Sequence, residues 1–149
     1  MTASREETKR GLLMTISATQ GFNAWLGIED ASVTDGGDAV EFSVPVRSDM
    51  MQHQGFVHGG VIGAVADVGL AWAAAEIDAD VRTQTYTLQF LRPAGPGTLV
   101  VRGEVVRRGR QAVAVRAVVC LRPEGGDAVE VAHAMATIWR VERQNTQRS

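Results

Sequence analysis

The spacing of apolar positions divides the chain into a helical start, two strands, one long apolar run and four further strands. From Arg5 to Thr19 the chain is charged at first and then carries Leu12, Leu13 and Ile16 at helical spacing, which predicts a helix that Gly21 ends. Trp25–Val33 and Ala39–Val46 read as strands joined by the turn Asp35-Gly36-Gly37-Asp38. An irregular stretch, 47–57, leads into Gly59–Ala75, which is apolar on every side apart from Asp67 and too long for a strand. It predicts a helix that must be buried on most of its surface. Thr83–Leu91, Thr98–Arg107, Gln111–Leu121 and Ala128–Arg140 are rich in Val, Thr and Ile and partly alternate, as strands do. Their short, Gly- and Pro-rich connections predict an antiparallel meander. One sheet wrapped around one helix is the simplest way to bury the central run, so the fold class is α+β.

Composition adds limits. The chain of 149 residues has the length of one domain, and 45% apolar residues suffice for a core. We expect a single domain over 1–149, with an N-terminal helix within 1–20 and a flexible tail at 141–149. A net charge of −2 gives no bias toward nucleic acid or anionic membranes. The basic residues are 14 Arg and one Lys. Cys120 is the single cysteine and has no internal partner, in keeping with a reducing cytoplasm. The polar N-terminus lacks the apolar core of a signal peptide. A carboxylate at mid-membrane costs ~2.5–3.5 kcal/mol, so the run around Asp67 is not read as a span. The expected location is cytoplasmic.

The candidate chemistry lies at the start and middle of the apolar helix. Gly59-Gly60 leaves helix-start N–H groups open to close approach, where the helix dipole favours negative charge. A carbonyl placed there would be polarised and its oxyanion stabilised. Asp67 can take a proton from water or attack the carbonyl itself. Eight residues separate Gly59 from Asp67, roughly 12 Å along a helix. A reacting carbonyl must lie within ~3–3.5 Å of both donor and base. Two antiparallel helices across a two-fold axis meet this condition, so the expected assembly is a homodimer with shared sites. Trp25, Trp72 and Phe56 are candidates either for lining a pocket or for plain core packing. His53 and His58 have no Cys, Asp or Glu at ligand spacing, so no metal is expected. Neither a P-loop nor a G-x-G-x-x-G or G-x-S-x-G motif is present.

The spacing Gln52-x-x-Gly55-x-x-His58-Gly59-Gly60-x-x-x-x-x-x-Asp67 resembles the signature of the PaaI-like hotdog acyl-CoA thioesterases, a group that includes one type of 4-hydroxybenzoyl-CoA thioesterase. Phe90-Leu91-Arg92-Pro93-Ala94 and Val105-Val106-Arg107-Arg108-Gly109-Arg110 extend the resemblance, which covers roughly residues 25 to 140. Gln52 stands where many relatives carry Asn. The resemblance implies a hotdog fold and hydrolysis of an aromatic or medium-chain acyl-CoA, with coenzyme A entering as part of the substrate and no separate cofactor. It implies that Gln52 and His58 position the thioester or the attacking water, and that Gly59 polarises the carbonyl with Gly60 beside it. It also implies that Thr83 orients the water next to Asp67. Arg107, Arg108 and Arg110, with Arg92, become candidates for binding the nucleotide phosphates, which arginine forks suit. A dimer of dimers is expected. The alternatives are a thioesterase acting on acyl-carrier protein, a hydratase, and a non-catalytic acyl-CoA-binding module.

Overall fold

The computed structural model describes residues 2–19 and 21–142. Helices α1 (Arg5–Ala18) and α2 (Phe22–Leu26) precede strands β1 (Glu29–Thr34) and β2 (Ala39–Pro45). The central helix α3 (Gly59–Ala74) follows, and then β3 (Asp80–Phe90), β4 (Thr98–Arg108), β5 (Ala112–Arg122) and β6 (Val129–Val141). The six strands form one antiparallel sheet in the order β1-β2-β4-β5-β6-β3, wrapped around α3. This is the hotdog arrangement. The expected tail begins at Val141, which closes β6, and its remainder, 143–149, lies outside the described residues.

Alternation builds the face that holds α3. Along β5, Val113, Val115, Ala117, Val119 and Leu121 are buried, while the residues between them are partly or fully exposed. Leu99 and Val101 of β4 and Phe42 of β2 continue that surface. Leu70, Val65, Ala66 and Ala73 of α3 lie fully buried against the sheet. Helix and sheet come closest where Gly69 faces Gly103: a Cβ on Gly103 would run into the Gly69 carbonyl, so glycine is required there.

Two expectations need correcting. The segment from Trp25 is not strand at its start, because Phe22–Leu26 forms a short helix that stops at Gly27 with φ 73°. Strand β1 begins only at Glu29. The meander holds for β4-β5-β6, but β3 pairs with β6 and lies at the opposite side of the sheet from a β3–β4 hairpin. The connection 91–97 is therefore a crossover beneath the start of α3. Its path is fixed by Val57 N–H donating to Ala94 O (2.8 Å) and Val46 N–H donating to Gly97 O (2.9 Å). Covering α3 on two sides takes strands from both edges of the sheet, which a simple meander does not supply.

The far end of α3 is held by cations. Lys9 of α1, 1% exposed, donates to Ala73 O (2.8 Å) and Gly37 O (2.6 Å). Arg108 donates to Ala74 O (3.1 Å). Both satisfy helix-end carbonyls and complement the negative end of the dipole. No helix among the described residues is long and apolar enough to cross a membrane.

Burial, reinforced by nearby Arg108, lowers the Lys9 pKa from 10.5 to about 8. At neutral pH both folded and unfolded chains hold the proton, and the penalty for the buried charge is fully present. Between about 8 and 10.5 the folded chain sheds the proton while the unfolded chain keeps it, so this contribution to stability rises with pH. Urea unfolding of wild type and Lys9→Met should show their stability difference shifting toward wild type from about pH 7.5 to about pH 10. A difference independent of pH would contradict this account.

Candidate functional site

The start of α3 leaves one amide open. His58 is the N-cap residue, and its own N–H donates to Met50 O (2.8 Å). Gly60 N–H donates to His58 Nδ1 (2.8 Å), and Val61 N–H to His58 O (2.9 Å). Gly59 N–H has no acceptor among the described residues. An imidazole that accepts at Nδ1 carries its proton on Nε2 when neutral. The contacts therefore make His58 a capping residue that fixes the direction of the Gly59 amide.

Gly59 opens onto a cavity of about 460 Å³ lined by Gln52, Phe56, Gly59, Ile62, Phe90 and Arg92, among others. Gln52 sits in a tight turn, its Oε1 accepting from Gln54 N–H (2.5 Å) and its own N–H donating to Phe56 O (2.7 Å). Arg92 reaches the cavity because the crossover 91–97 passes there. Phe90 covers Gly59: a Cβ on that glycine would lie 3.2 Å from the ring. Phe90 was read only as part of a family stretch, and its place over Gly59 was missed. The position depends on β3 lying at the edge of the sheet. Of the three aromatic candidates, Phe56 alone lines this cavity. Trp72 is 6% exposed and packs on Phe42, whereas Trp25 stacks on Phe22 beneath the Arg47 guanidinium.

Asp67 is half-buried two turns further along α3. Its Oδ1 accepts a hydrogen bond from Thr83 Oγ1 at 2.6 Å. No other hydrogen bond to this carboxylate exists among the described residues, so Oδ2 is available to water. Positions 59, 63 and 67 share one helix face, four residues apart. Strand β3 runs antiparallel along that face, with Phe90 at Gly59, Tyr86 and Leu88 at Gly63, and Thr83 at Asp67.

The basic turn is elsewhere. Arg108 pairs with Asp38 (2.7 Å) and Glu76 (2.8 Å) besides capping Ala74. Within the chain its charge is shared with these two carboxylates. Arg107 and Arg110 are exposed at the same end, roughly 22 Å along α3 from Gly59. Of the four arginines, Arg92 alone lines the cavity. Among the described residues no cluster of metal-ligating side chains occurs. Cys120 is half-buried in β5, and burial raises its pKa, as for an inert thiol.

A family model described as the thioesterase superfamily matches residues 54–126. A protein of Thermoplasma acidophilum that carries an esterase name is 28% identical over 100 residues, covering 66% of this chain and 74% of its own. A thioesterase family protein from Silicibacter pomeroyi superposes with a TM-score of 0.82 at 26% identity, covering 91% of this chain and 99% of that one. The E. coli PaaI protein of the phenylacetic acid degradation operon gives 0.80 at 22% identity, covering 93% and 96%. A Streptococcus mutans protein solved with acetyl-CoA gives 0.69 at 22% identity, covering 79% and 91%. The last two are likenesses of fold.

Replacing Arg108 tests whether its role is structural or in phosphate binding. Arg108→Met leaves Asp38, Glu76 and the end of α3 without their cation. It should cost on the order of 1–3 kcal/mol of stability, read by denaturant unfolding. A variant of wild-type stability whose only defect is weaker binding of coenzyme A phosphates would restore the phosphate role.

Proposed function

Because the chain belongs to the thioesterase superfamily and is by class a thioester hydrolase, we propose that it cleaves acyl-coenzyme A to a free acid and coenzyme A. The sites are shared by two copies of the chain. The observation that carries this reading is the open Gly59 amide: His58 takes the N–H groups of Gly60 and Val61 and leaves that of Gly59, a residue lining the cavity, without an acceptor among the described residues. The thioester oxygen accepts from Gly59 N–H, and the carbonyl carbon becomes more electrophilic. Asp67 of the other copy takes a proton from water through Oδ2 while Thr83 holds Oδ1. Hydroxide adds to the carbonyl carbon, the C–S bond breaks, and the thiolate leaves to be protonated as free coenzyme A. Arg92, at the mouth, suits the pantetheine and phosphate portion.

The shared site rests on distance and on the free edge of the sheet. Gly59 and Asp67 of one chain are roughly 12 Å apart along the axis, too far for one carbonyl to touch both. A two-fold axis that brings Gly59 to the partner's Asp67 passes near the midpoint, Gly63. The residue facing Gly63 is Tyr86, near the middle of β3. Strand β3 is an edge strand of 11 residues with Tyr86 42% and Phe90 55% exposed. An unpaired edge of that length is a template for a second strand. A β3–β3 pair across the axis fits the same centre.

The test is complementation. Asp67→Asn should lose at least ~10²-fold in turnover and keep acyl-CoA binding. Gly59→Pro removes the open N–H at a helix position that accepts proline. Mixed as confirmed heterodimers, the two inactive chains should regain activity approaching half of wild type, because one of the two sites combines an intact Asp67 with an intact Gly59. Heterodimers as inactive as their parents would end the shared-site reading.

A further inference from the structure

Besides Thr83, the edge strand β3 brings a second hydroxyl to the helix face that carries Asp67. Thr83 meets Asp67, and Tyr86 meets Gly63, its Oη 3.2 Å from the place a Cβ on that glycine would take. Residues three apart on a regular strand point to opposite faces. The register of β3 against β6 shifts between Thr83 and Thr85, and this irregularity turns both side chains toward α3. Beyond it the side chains that meet the helix are Tyr86, Leu88 and Phe90, so Tyr86 is the polar one among them. Its hydroxyl has no hydrogen-bond partner among the described residues.

Resting on the acyl-coenzyme A reading above, we infer that Tyr86 and Asp67 of one chain together hold the water that attacks the thioester. Gly63 precedes Asp67 by one turn, roughly 6 Å along the axis. Helix side chains lean toward the N-terminus, so the Asp67 carboxylate reaches back toward the turn over which the Tyr86 hydroxyl stands. Thr83 occupies Oδ1. A water bonded to Oδ2 at one end and to Tyr86 Oη at the other spans ~5.5 Å, two hydrogen bonds of ~2.7–2.8 Å, which suits that separation. It gives one hydrogen to each oxygen, since a phenol oxygen accepts as well as donates. Both O–H bonds are then fixed, and a lone pair faces the carbonyl carbon polarised by the partner's Gly59. In the step itself one O–H bond breaks, its proton passes to Asp67 Oδ2, and the oxygen bonds to the carbonyl carbon. The C–S bond breaks as the carbonyl re-forms, and the thiolate takes that proton from Oδ2. Tyr86 keeps the second hydrogen in place and neither gives nor takes a proton. A water held at one end turns freely, and the second contact removes that freedom before the reaction.

The experiment compares wild type, Tyr86→Phe, Asp67→Asn and the double variant on the best substrate among acetyl-, octanoyl-, benzoyl- and phenylacetyl-CoA. Tyr86→Phe removes one oxygen and keeps the ring. It should lower kcat about tenfold and leave KM within twofold, with the urea midpoint and the dimer mass unchanged. Added to Asp67→Asn, it should lower the residual rate less than twofold, because both residues act through the same water. Wild-type kcat in Tyr86→Phe, a change confined to KM, or a full tenfold loss repeated in the Asp67→Asn background overturns this role and leaves the thioesterase reading standing. A Phe variant that loses stability or the dimer also overturns it, since the hydroxyl would then be a packing group. A wild-type chain that hydrolyses none of the acyl-CoAs overturns the reading on which the role rests.

Discussion

A helix that is apolar all round has to be enclosed, yet its two ends remain polar, and this conflict organises the molecule. The sheet curls around α3 because no other surface of the chain is large enough to cover it. Buried helix ends need partners for the amides and carbonyls that the helix itself cannot pair. At the C-terminal end Lys9 and Arg108 supply donors and positive charge, and Asp38, Glu76 and Arg140 build an ionic network around Arg108. The N-terminal end is treated differently. Met50 O, His58 Nδ1 and His58 O take the amides around Gly59, and the cavity receives the one they leave. A donor open to solvent costs little stability because water can occupy it, and in the proposed function a thioester oxygen replaces that water.

The same constraint explains which parts of the structure could be read from the chain. A run of apolar residues at helical length has few alternatives, so the expected Gly59–Ala75 and the observed Gly59–Ala74 nearly coincide. Strands β4, β5 and β6 were legible because their alternation and their turns are both local. The neighbours of β3 were not, since its pairing with β6 is set by the need to cover α3 from two sides. That topology carries Phe90 over Gly59 and Arg92 to the cavity; Arg92 is a candidate by resemblance, so the misplaced strand hid only the place of Phe90. The helix Phe22–Leu26 was invisible for another reason. Five residues are too few to show a period, and the aromatic stack of Phe22 on Trp25 looks like strand composition until it is seen in place.

Charge was the least legible property. Lys9 belongs to a run of charged residues that ordinarily faces water, yet its ammonium group is buried. The carbonyls that hold it come from 28 and 64 residues away, and nothing local announces them. Three arginines within four residues of a turn look free to bind phosphate. Arg108 is also paired with Asp38 and Glu76, which reach it from a different strand connection and from the end of α3. Sequence clustering finds charges that are close along the chain, and the fold decides which of them are neutralised.

In the proposed reaction, helix polarity divides the work. Negative charge developing on the thioester oxygen would lie at the positive start of α3, where the dipole favours it. Asp67 sits near the middle of the helix, away from the dipole ends, with Thr83 as its only protein hydrogen-bond donor among the described residues. A carboxylate with one oxygen held and the other free has a fixed orientation and an available lone pair, as a positioned base requires. Thr83 can hold it because β3 runs antiparallel to α3, so strand positions count down as helix positions count up. The geometry that pairs Thr83 with Asp67 also sets Tyr86 and Leu88 at Gly63 and Phe90 at Gly59. Glycine at 59 and 63 leaves room for these side chains on one face. A side chain at either position would have to be met by a shift of the Phe90 ring or of the Tyr86 and Leu88 side chains, so the small residues of α3 let the side chains of β3 lie close over the helix.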